Sequence, residues 1–515
     1  MTAREAGIVD ATPANVPGAP RARMMLQRAR WAATAFALYD RDQTQRIVEA
    51  VATVAYQNAE RFAVAAVEET GMGVAEHKRR KNEACSRGIV ERYAAEDYVG
   101  ARIDAKRKLV EVPKPAGVIL ALTPSTNPIA TVYFKVLLSL MTRNAVVVCP
   151  HPMARKVSVE AIRLIARAAV GAGAPDGCVQ VVEEPTIPLI EGLMADPGTD
   201  VIVATGGTAV VRAAYRSGNP SLGVGPGNVP AFVDATADVA RAAACLAESK
   251  SFDNSILCTN ESTLIAEDRI ADLLVSELGR QGALVLDHES TDLVRAACYP
   301  DGRINTALAG KDALVLAEAA GVRVPSGTRV LVTPFTLIVP EEPLAHEKLF
   351  PLLGMVRVAD AQRGIEAARG LLRIGGAGHS AVIHSRAPET ILAYGATLRV
   401  LRVTVNAPGS TGSSGLDTHL PLAMTVGTGF FGRSSLTENL QPRDLVQWTR
   451  VAYAADPDEP FGDFSGLEPW AAMPAATPIA VPEPPGGAVS SGDAGPAREQ
   501  LRRLILDELR ELVRG

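Results

Sequence analysis

The amino-acid sequence predicts an α/β protein built on a doubly wound parallel sheet. Two observations carry that class: strand-like apolar runs alternate with helical stretches over residues 117–235, and mixed α/β patterning continues over residues 231–440. Residues 1–20 read as an N-terminal tail and residues 21–98 as helical. Apolar residues keep helical spacing through Gln43–Glu68, and Thr70-Gly71-Met72-Gly73 closes the run. The cluster Arg23, Arg28 and Arg30 before Trp31–Tyr39 reads as an amphipathic helix rather than a signal peptide, because Asp40, Arg41 and Asp42 follow at once. The charged stretch Asp104–Lys114 reads as a hairpin extending from the body, within about residues 99–114. Next come strand Gly117–Leu122, helix Asn127–Met141, strand Ala145–Cys149, helix Val157–Gly171 and strand Cys178–Val182. Strand Asp200–Ala204 then runs through Gly206-Gly207-Thr208 into helix Ala209–Ser217. In such a sheet, ligands bind beyond the carboxyl ends of the strands. The expected division is one α/β domain over 21–230, a second over 231–440 and a C-terminal segment over 441–470.

At 515 residues the chain is long enough for two or three domains. Its composition, 47% hydrophobic and 21% charged, is that of an ordinary globular protein. A formal charge of -5 gives no electrostatic footprint for nucleic acid or an anionic membrane surface. No apolar run approaches the roughly 20 residues needed to span a bilayer. The six cysteines are scattered without a CxxC pair and the seven histidines form no HExxH. No metal is expected, and the cysteine usage fits a reducing cytosol.

Cys258 stands in Ser251–Ser262, where Asp253, Asn254, Thr259 and Asn260 make a poor core strand. That setting favours a nucleophilic thiol over a small buried hydrophobe. Thr123-Pro124-Ser125-Thr126-Asn127-Pro128 follows a strand directly, so the Asn127 amide is placed to donate to a developing oxyanion. Read alone, Asn127 is better taken as a turn or cap residue. Gly206-Gly207-Thr208 offers backbone N–H groups and a positive helix end to a phosphate. His151, between Pro150 and Pro152 after a strand, is either a ligand contact or a surface turn residue. The upstream stretch Gly223–Pro230 contains no acid or base, and its glycines are expected to hold backbone angles closed to other residues. A cysteine nucleophile without a neighbouring carboxylate points to an acyl-enzyme released by something other than water. Glu261 lies close to Cys258 with its direction undetermined, which leaves water activation open. Gly427–Gly432 matches GxGxxG, but it lies roughly 300 residues past the first strand, without the downstream acid of a dinucleotide fingerprint.

With these segments in view, the chain resembles the aldehyde dehydrogenase superfamily, specifically its CoA-acylating branch. Further segments carrying the resemblance are Glu68–Gly73, Ala204–Gly207, His346-Glu347-Lys348-Leu349-Phe350-Pro351 and Gly376-Ala377-Gly378-His379-Ser380. The resemblance implies an NAD-binding domain over 21–230, a catalytic domain over 231–440, and a small oligomerisation hairpin completed by 441–470. It implies Cys258 as nucleophile and Asn127 as oxyanion donor. It also implies NAD, with NADP as the alternative nucleotide, held by Thr123, Pro124, His151, Pro152, Gly206, Gly207, Thr208, Gly225, Pro226, Gly227, Glu347 and Leu349. Hydrolytic members carry a glutamate in the segment matched by Gly223–Pro230. Its absence here implies coenzyme A as acyl acceptor, and the resemblance as a whole implies a short-chain aldehyde as substrate and a homodimer or homotetramer. The alternatives are a hydrolytic aldehyde dehydrogenase giving a free acid and a non-catalytic adaptor.

Residues 471–496, rich in Pro, Ala, Gly and Ser, read as a disordered linker. Over 497–515, apolar residues at 501, 504, 505, 509, 512 and 513 form one helical stripe. A tethered amphipathic helix resembles the encapsulation peptides of bacterial microcompartment cargo. That implies a shell-protein partner and a cytoplasmic location inside such a compartment.

Overall fold

A computed structural model describes residues 18–470. The expected linker and C-terminal helix, and most of the expected N-terminal tail, lie outside the described residues. The first parallel sheet has the order β5-β4-β3-β6-β7, built from β3 (Val118–Leu122), β4 (Ala145–Cys149), β5 (Val179–Val181), β6 (Val201–Thr205) and β7 (Ser221–Val224). The chain moves outward from β3 to β5 and then returns to β6 on the other side of β3. The strand order therefore reverses between β3 and β6, where loops leaving in opposite directions open a crevice. β3 and β4 are buried at every position. That is why both read as unbroken apolar runs rather than alternating ones. Helix Pro128–Met141 is apolar and almost wholly buried, with Lys135 in its middle donating to Leu122 O at 2.6 Å and Val203 O at 2.9 Å. This one side chain ties the end of β3 to the middle of β6.

The second parallel sheet has the order β10-β11-β12-β9-β8-β13-β14. Its strands are β8 (Val229–Val233), β9 (Glu261–Glu267), β10 (Ala283–Val285), β11 (Val330–Pro334), β12 (Leu352–Val358), β13 (Gly378–His384) and β14 (Val400–Val405). One face buries Phe232, Ile265, Leu331 and Phe350; the other buries Val229, Leu264 and Leu353. A third, antiparallel sheet joins β1 (Arg102–Asp104) and β2 (Leu109–Pro115) to β15 (Val446–Ala452).

The helical reading of 21–98 resolves into several helices. The run Gln43–Glu68 breaks at Asn58, between helices Arg41–Gln57 and Ala59–Thr70, where Asn58 Nδ2 turns back to Val54 O at 2.8 Å. Gly71, at φ 65°, closes the second helix. Helix Ala75–Glu83 follows. Helix Ile187–Ala195 and strand β7, both short, were not among the elements the sequence pattern revealed.

Candidate active site

The two large sheets meet through one short link. β7 ends at Val224, and Gly225-Pro226-Gly227 leads into β8, whose Val229 pairs with Glu261 at the start of β9. The segment just before β9, which contains Cys258, is thus set at the amino end of the second sheet. It lies hard against the glycine link: a Cβ on Gly227 would stand 2.0 Å from the Cys258 carbonyl oxygen. Glycine is required here by close approach, not by backbone angle. None of Gly223, Gly225 and Gly227 adopts a positive φ, which corrects the expectation of special angles. At Gly223 a Cβ would meet Val211 Cγ1 at 2.7 Å and the Tyr215 ring at 2.8 Å, whereas at Gly225 it would meet only Thr428 Oγ1 at 3.9 Å.

The cysteine loop is strained and then braced. Asp253, Asn254 and Ser255 have φ of 49°, 51° and 64°, three consecutive left-handed residues without a glycine. Each such residue costs about 1–3 kcal/mol, so surrounding contacts must hold the conformation. The buried Asp253 carboxylate accepts from Val74 N at 2.6 Å, Lys78 Nζ at 3.0 Å and Lys81 Nζ, while its own N–H donates to His77 Nδ1 at 2.8 Å. Burial opposes the charge on Asp253, but the two lysines win and hold its pKa below the usual carboxylate range. Asn254 Nδ2 donates to Gly310 O at 2.9 Å. On the far side of Cys258, Asn260 Oδ1 accepts from Ser255 Oγ at 2.7 Å and from buried Lys250, and its Nδ2 donates to Ser255 O at 2.9 Å. Cys258 itself is half-buried. Burial, reinforced by the charge of Glu347 and opposed by Arg402, pushes its thiol up to about 12.

Glu347 Oε1 accepts from Gly227 N at 3.0 Å, and burial raises its carboxyl to about 7. Leu349 packs against Met72, Ile256 and Ala309, two residues from the thiol at Ile256. Glu261, whose direction the sequence left open, is buried and faces the protein's own groups. It accepts from Gly409 N at 2.8 Å and from Ser249 Oγ, and burial raises its carboxyl. Asn127 occupies the cap position of helix Pro128–Met141, yet its side chain caps nothing. Its Oδ1 accepts instead from Lys81 Nζ, the same ammonium that holds Asp253.

The remaining sequence-derived residues line the carboxyl edge of the first sheet. Thr123 and Pro124 follow β3; Thr123 Oγ1 is buried with no partner among the described residues. His151 and Pro152 follow β4, and His151 Nδ1 accepts from Met153 N at 3.2 Å. That contact is a turn residue's role, and it leaves Nε2 as the ring nitrogen able to meet a ligand. Gly206, Gly207 and Thr208 follow β6, with Gly207 at the cap of helix Thr208–Arg216 and no side chain filling it. Gly427–Gly432 ends in a 3-10 turn, Phe430–Gly432, instead of linking a strand to a helix.

Sequence reading passed over Lys78, Lys81 and Arg402, and took Asp253 only as a polar neighbour of Cys258. Arg402 occupies a buried position of β14 and donates to Gly378 O at 3.0 Å and His379 O at 2.8 Å. Burial, with Arg402 adding to it, lowers His379 to about 3. The only signal for Arg402 was a charge at an inward position of an alternating strand; Lys78 and Lys81 showed only as i,i+3 neighbours.

The sequence model of the aldehyde dehydrogenase family matches residues 12–415, and the chain belongs to that family, among its acylating members. It is 36% identical over 431 residues to the acetylating succinate-semialdehyde dehydrogenase of Clostridium kluyveri, covering 83% of this chain and 95% of that one. To the bifunctional aldehyde-alcohol dehydrogenase AdhE of Escherichia coli it is 34% identical over 438 residues, 84% of this chain. The chain spans about half the length of that relative, 49%. An acetylating aldehyde dehydrogenase from Geobacillus thermoglucosidasius superposes with a TM-score of 0.83 at 35% identity, covering 85% of this chain and 97% of that one. A propionaldehyde dehydrogenase of the Clostridium phytofermentans fucose utilisation microcompartment gives 0.77 at 29% identity, over 84% and 97%.

Proposed function

We propose that this chain oxidises a short-chain aldehyde to its acyl-CoA, with NAD as hydride acceptor, through a thioacyl intermediate on Cys258. Cys258 Sγ attacks the carbonyl carbon after losing its proton. The resulting oxyanion is met by Asn127 Nδ2 and the backbone N–H of Cys258, two fixed donors in a site that resists reorganisation. NAD supplies the hydride-accepting ring. The residues suited to hold it are Thr123, Pro124, His151, Pro152 and Gly206–Thr208 along the first sheet, with Gly225–Gly227, Glu347 and Leu349 beside the thiol. The orphaned Thr123 hydroxyl and the unfilled helix start at Gly207 fit such a ligand. Loss of hydride leaves a thioester on Cys258, and the thiol of coenzyme A takes the acyl group.

The observation that carries thiolysis is the link Gly225–Gly227, which lies against the nucleophile loop and holds no carboxylate to activate water. A solved propionaldehyde dehydrogenase of Rhodopseudomonas palustris that holds CoA with an acylated cysteine supports the same reading. The second reading, hydrolysis to a free acid, is favoured by Glu347, whose raised carboxyl could accept a proton near neutrality. The test is NADH formation with and without coenzyme A. Thiolysis predicts a burst of about one NADH per site without the thiol and steady turnover with it; equal steady rates overturn it. Gly225→Glu, where a Cβ has room, should open a CoA-independent route.

The cargo role belongs to the same proposal. It is supported by the apolar stripe over 497–515 and by the match to a microcompartment enzyme. A shell protein is the intended partner of that stripe, in a cytoplasmic compartment, with the chain as a homodimer or homotetramer. Residues 471–515 fused to a fluorescent protein should co-localise with a shell; diffuse fluorescence overturns the assignment.

A further inference from the structure

Two buried lysines beside the nucleophile loop take no part in the reaction described above. Lys78 and Lys81 lie three residues apart on helix Ala75–Glu83, and both ammonium groups reach Asp253 Oδ2. Buried charges of this kind need further hydrogen bonds beside the ion pair. Lys78 therefore also donates to Thr126 O at 3.0 Å, and Lys81 to Asn127 Oδ1. The cluster thus ties Asp253, at the head of the cysteine loop, to the loop that follows β3.

The chemistry of an ammonium group makes this tie directional. It has three donors and no acceptor, so the Asn127 atom facing Lys81 must be the carbonyl oxygen. Nδ2 then takes the other in-plane position of the amide, turned away from Lys81. There its contact among the described residues is Thr126 Oγ1 at 3.4 Å, a long bond that leaves donor capacity unused. An amide turned the other way would present a lone pair where an oxyanion needs a proton donor.

We propose that Lys81, anchored by Asp253, is a positioning residue that fixes the Asn127 amide so that Nδ2 and not Oδ1 meets the oxyanion formed on Cys258. This rests on the reading of Asn127 as an oxyanion donor. One carboxylate then sets both halves of the site, since Asp253 is also the first of the three left-handed residues leading to the thiol. Lys81 is lowered to about 8 by burial, with Asp253 opposing, which keeps it cationic at neutral pH.

The test is a mutant cycle read as kcat, with KM for the aldehyde and NAD binding measured alongside. Asn127→Ala should lower kcat by about 10²–10³. Lys81→Gln, which can both donate and accept, should lower kcat by at least about tenfold with KM nearly unchanged, yet add less than about twofold in the Asn127→Ala background. Lys81→Arg, again donor-only, should recover most of the loss. If Lys81→Gln costs the same factor in both backgrounds, or Arg serves no better than Gln, the proposal is overturned. Should Lys81→Gln fail to bind NAD through misfolding, Asp253→Asn loosens Lys81 without removing it and must show the same non-additivity. A normal kcat in Asn127→Ala alone would instead remove the oxyanion reading itself.

Discussion

The turns after β4 and β6, at the carboxyl edge of the five-stranded sheet, and the loop that carries Cys258 are built on opposite principles. The first are local: His151 is fixed by Met153, two residues on, and Gly207 simply begins a helix. The second depends on distant chain. Asp253 is held by Lys78 and Lys81, 175 and 172 residues earlier, and Thr259 Oγ1 donates to Ser410 O, 151 residues later. The surface proposed above for the nucleotide is, at these two turns, assembled from neighbouring residues. The loop around the thiol, in contrast, is held by chain far away in sequence.

The largest test of this contrast is Cys258→Ala. It should abolish NADH formation while NAD binding, made by the local loops, stays intact; normal turnover would break the assignment outright. Next, Asp253→Ala leaves two buried lysines without their anion and should cost about 3–5 kcal/mol of stability by denaturant unfolding. A loss below about 1 kcal/mol would show that the loop is not held from a distance. A third test uses the thiol. With Cys258 pushed up to about 12, its thiolate fraction grows tenfold per pH unit below that value. Iodoacetamide labelling of the resting protein should therefore accelerate about a hundredfold between pH 7 and pH 9; a plateau near pH 8 would mean a lower thiol pKa. The smallest effect belongs to the local side. His151→Ala should weaken NAD binding by roughly two- to tenfold, the worth of one hydrogen bond, without moving the unfolding midpoint. A hundredfold loss there would erase the distinction.

What the sequence disclosed follows the same divide. Strands β3, β4 and β6, and the turns after them, were legible because an apolar run followed by Pro, Gly or Ser is a local pattern. Cys258 drew attention through polar neighbours unsuited to a core strand, and Asn127 through its place just after a strand. The pairing of Lys81 with Asp253 was not legible, because each looks like an ordinary surface charge until the other is brought beside it. Gly223 and Gly227 were noticed but given the wrong reason: close contact across a fold leaves the same residue in the sequence as a left-handed turn does. The break at Asn58 was missed since apolar spacing continues across it while the backbone direction changes.

The tie from Thr259 to Ser410 has a consequence for the birth of the enzyme. A chain emerging from its amino end exposes Cys258 long before Ser410 exists, and until then nothing supplies the carbonyl that steadies Thr259. The growing polypeptide therefore carries Thr259 unanchored beside the thiol, although Lys78 and Lys81, made earlier, are already there for Asp253. Chemical competence arrives late in synthesis, as a property of the finished molecule, and a truncated product ending before that serine carries the thiol without its setting.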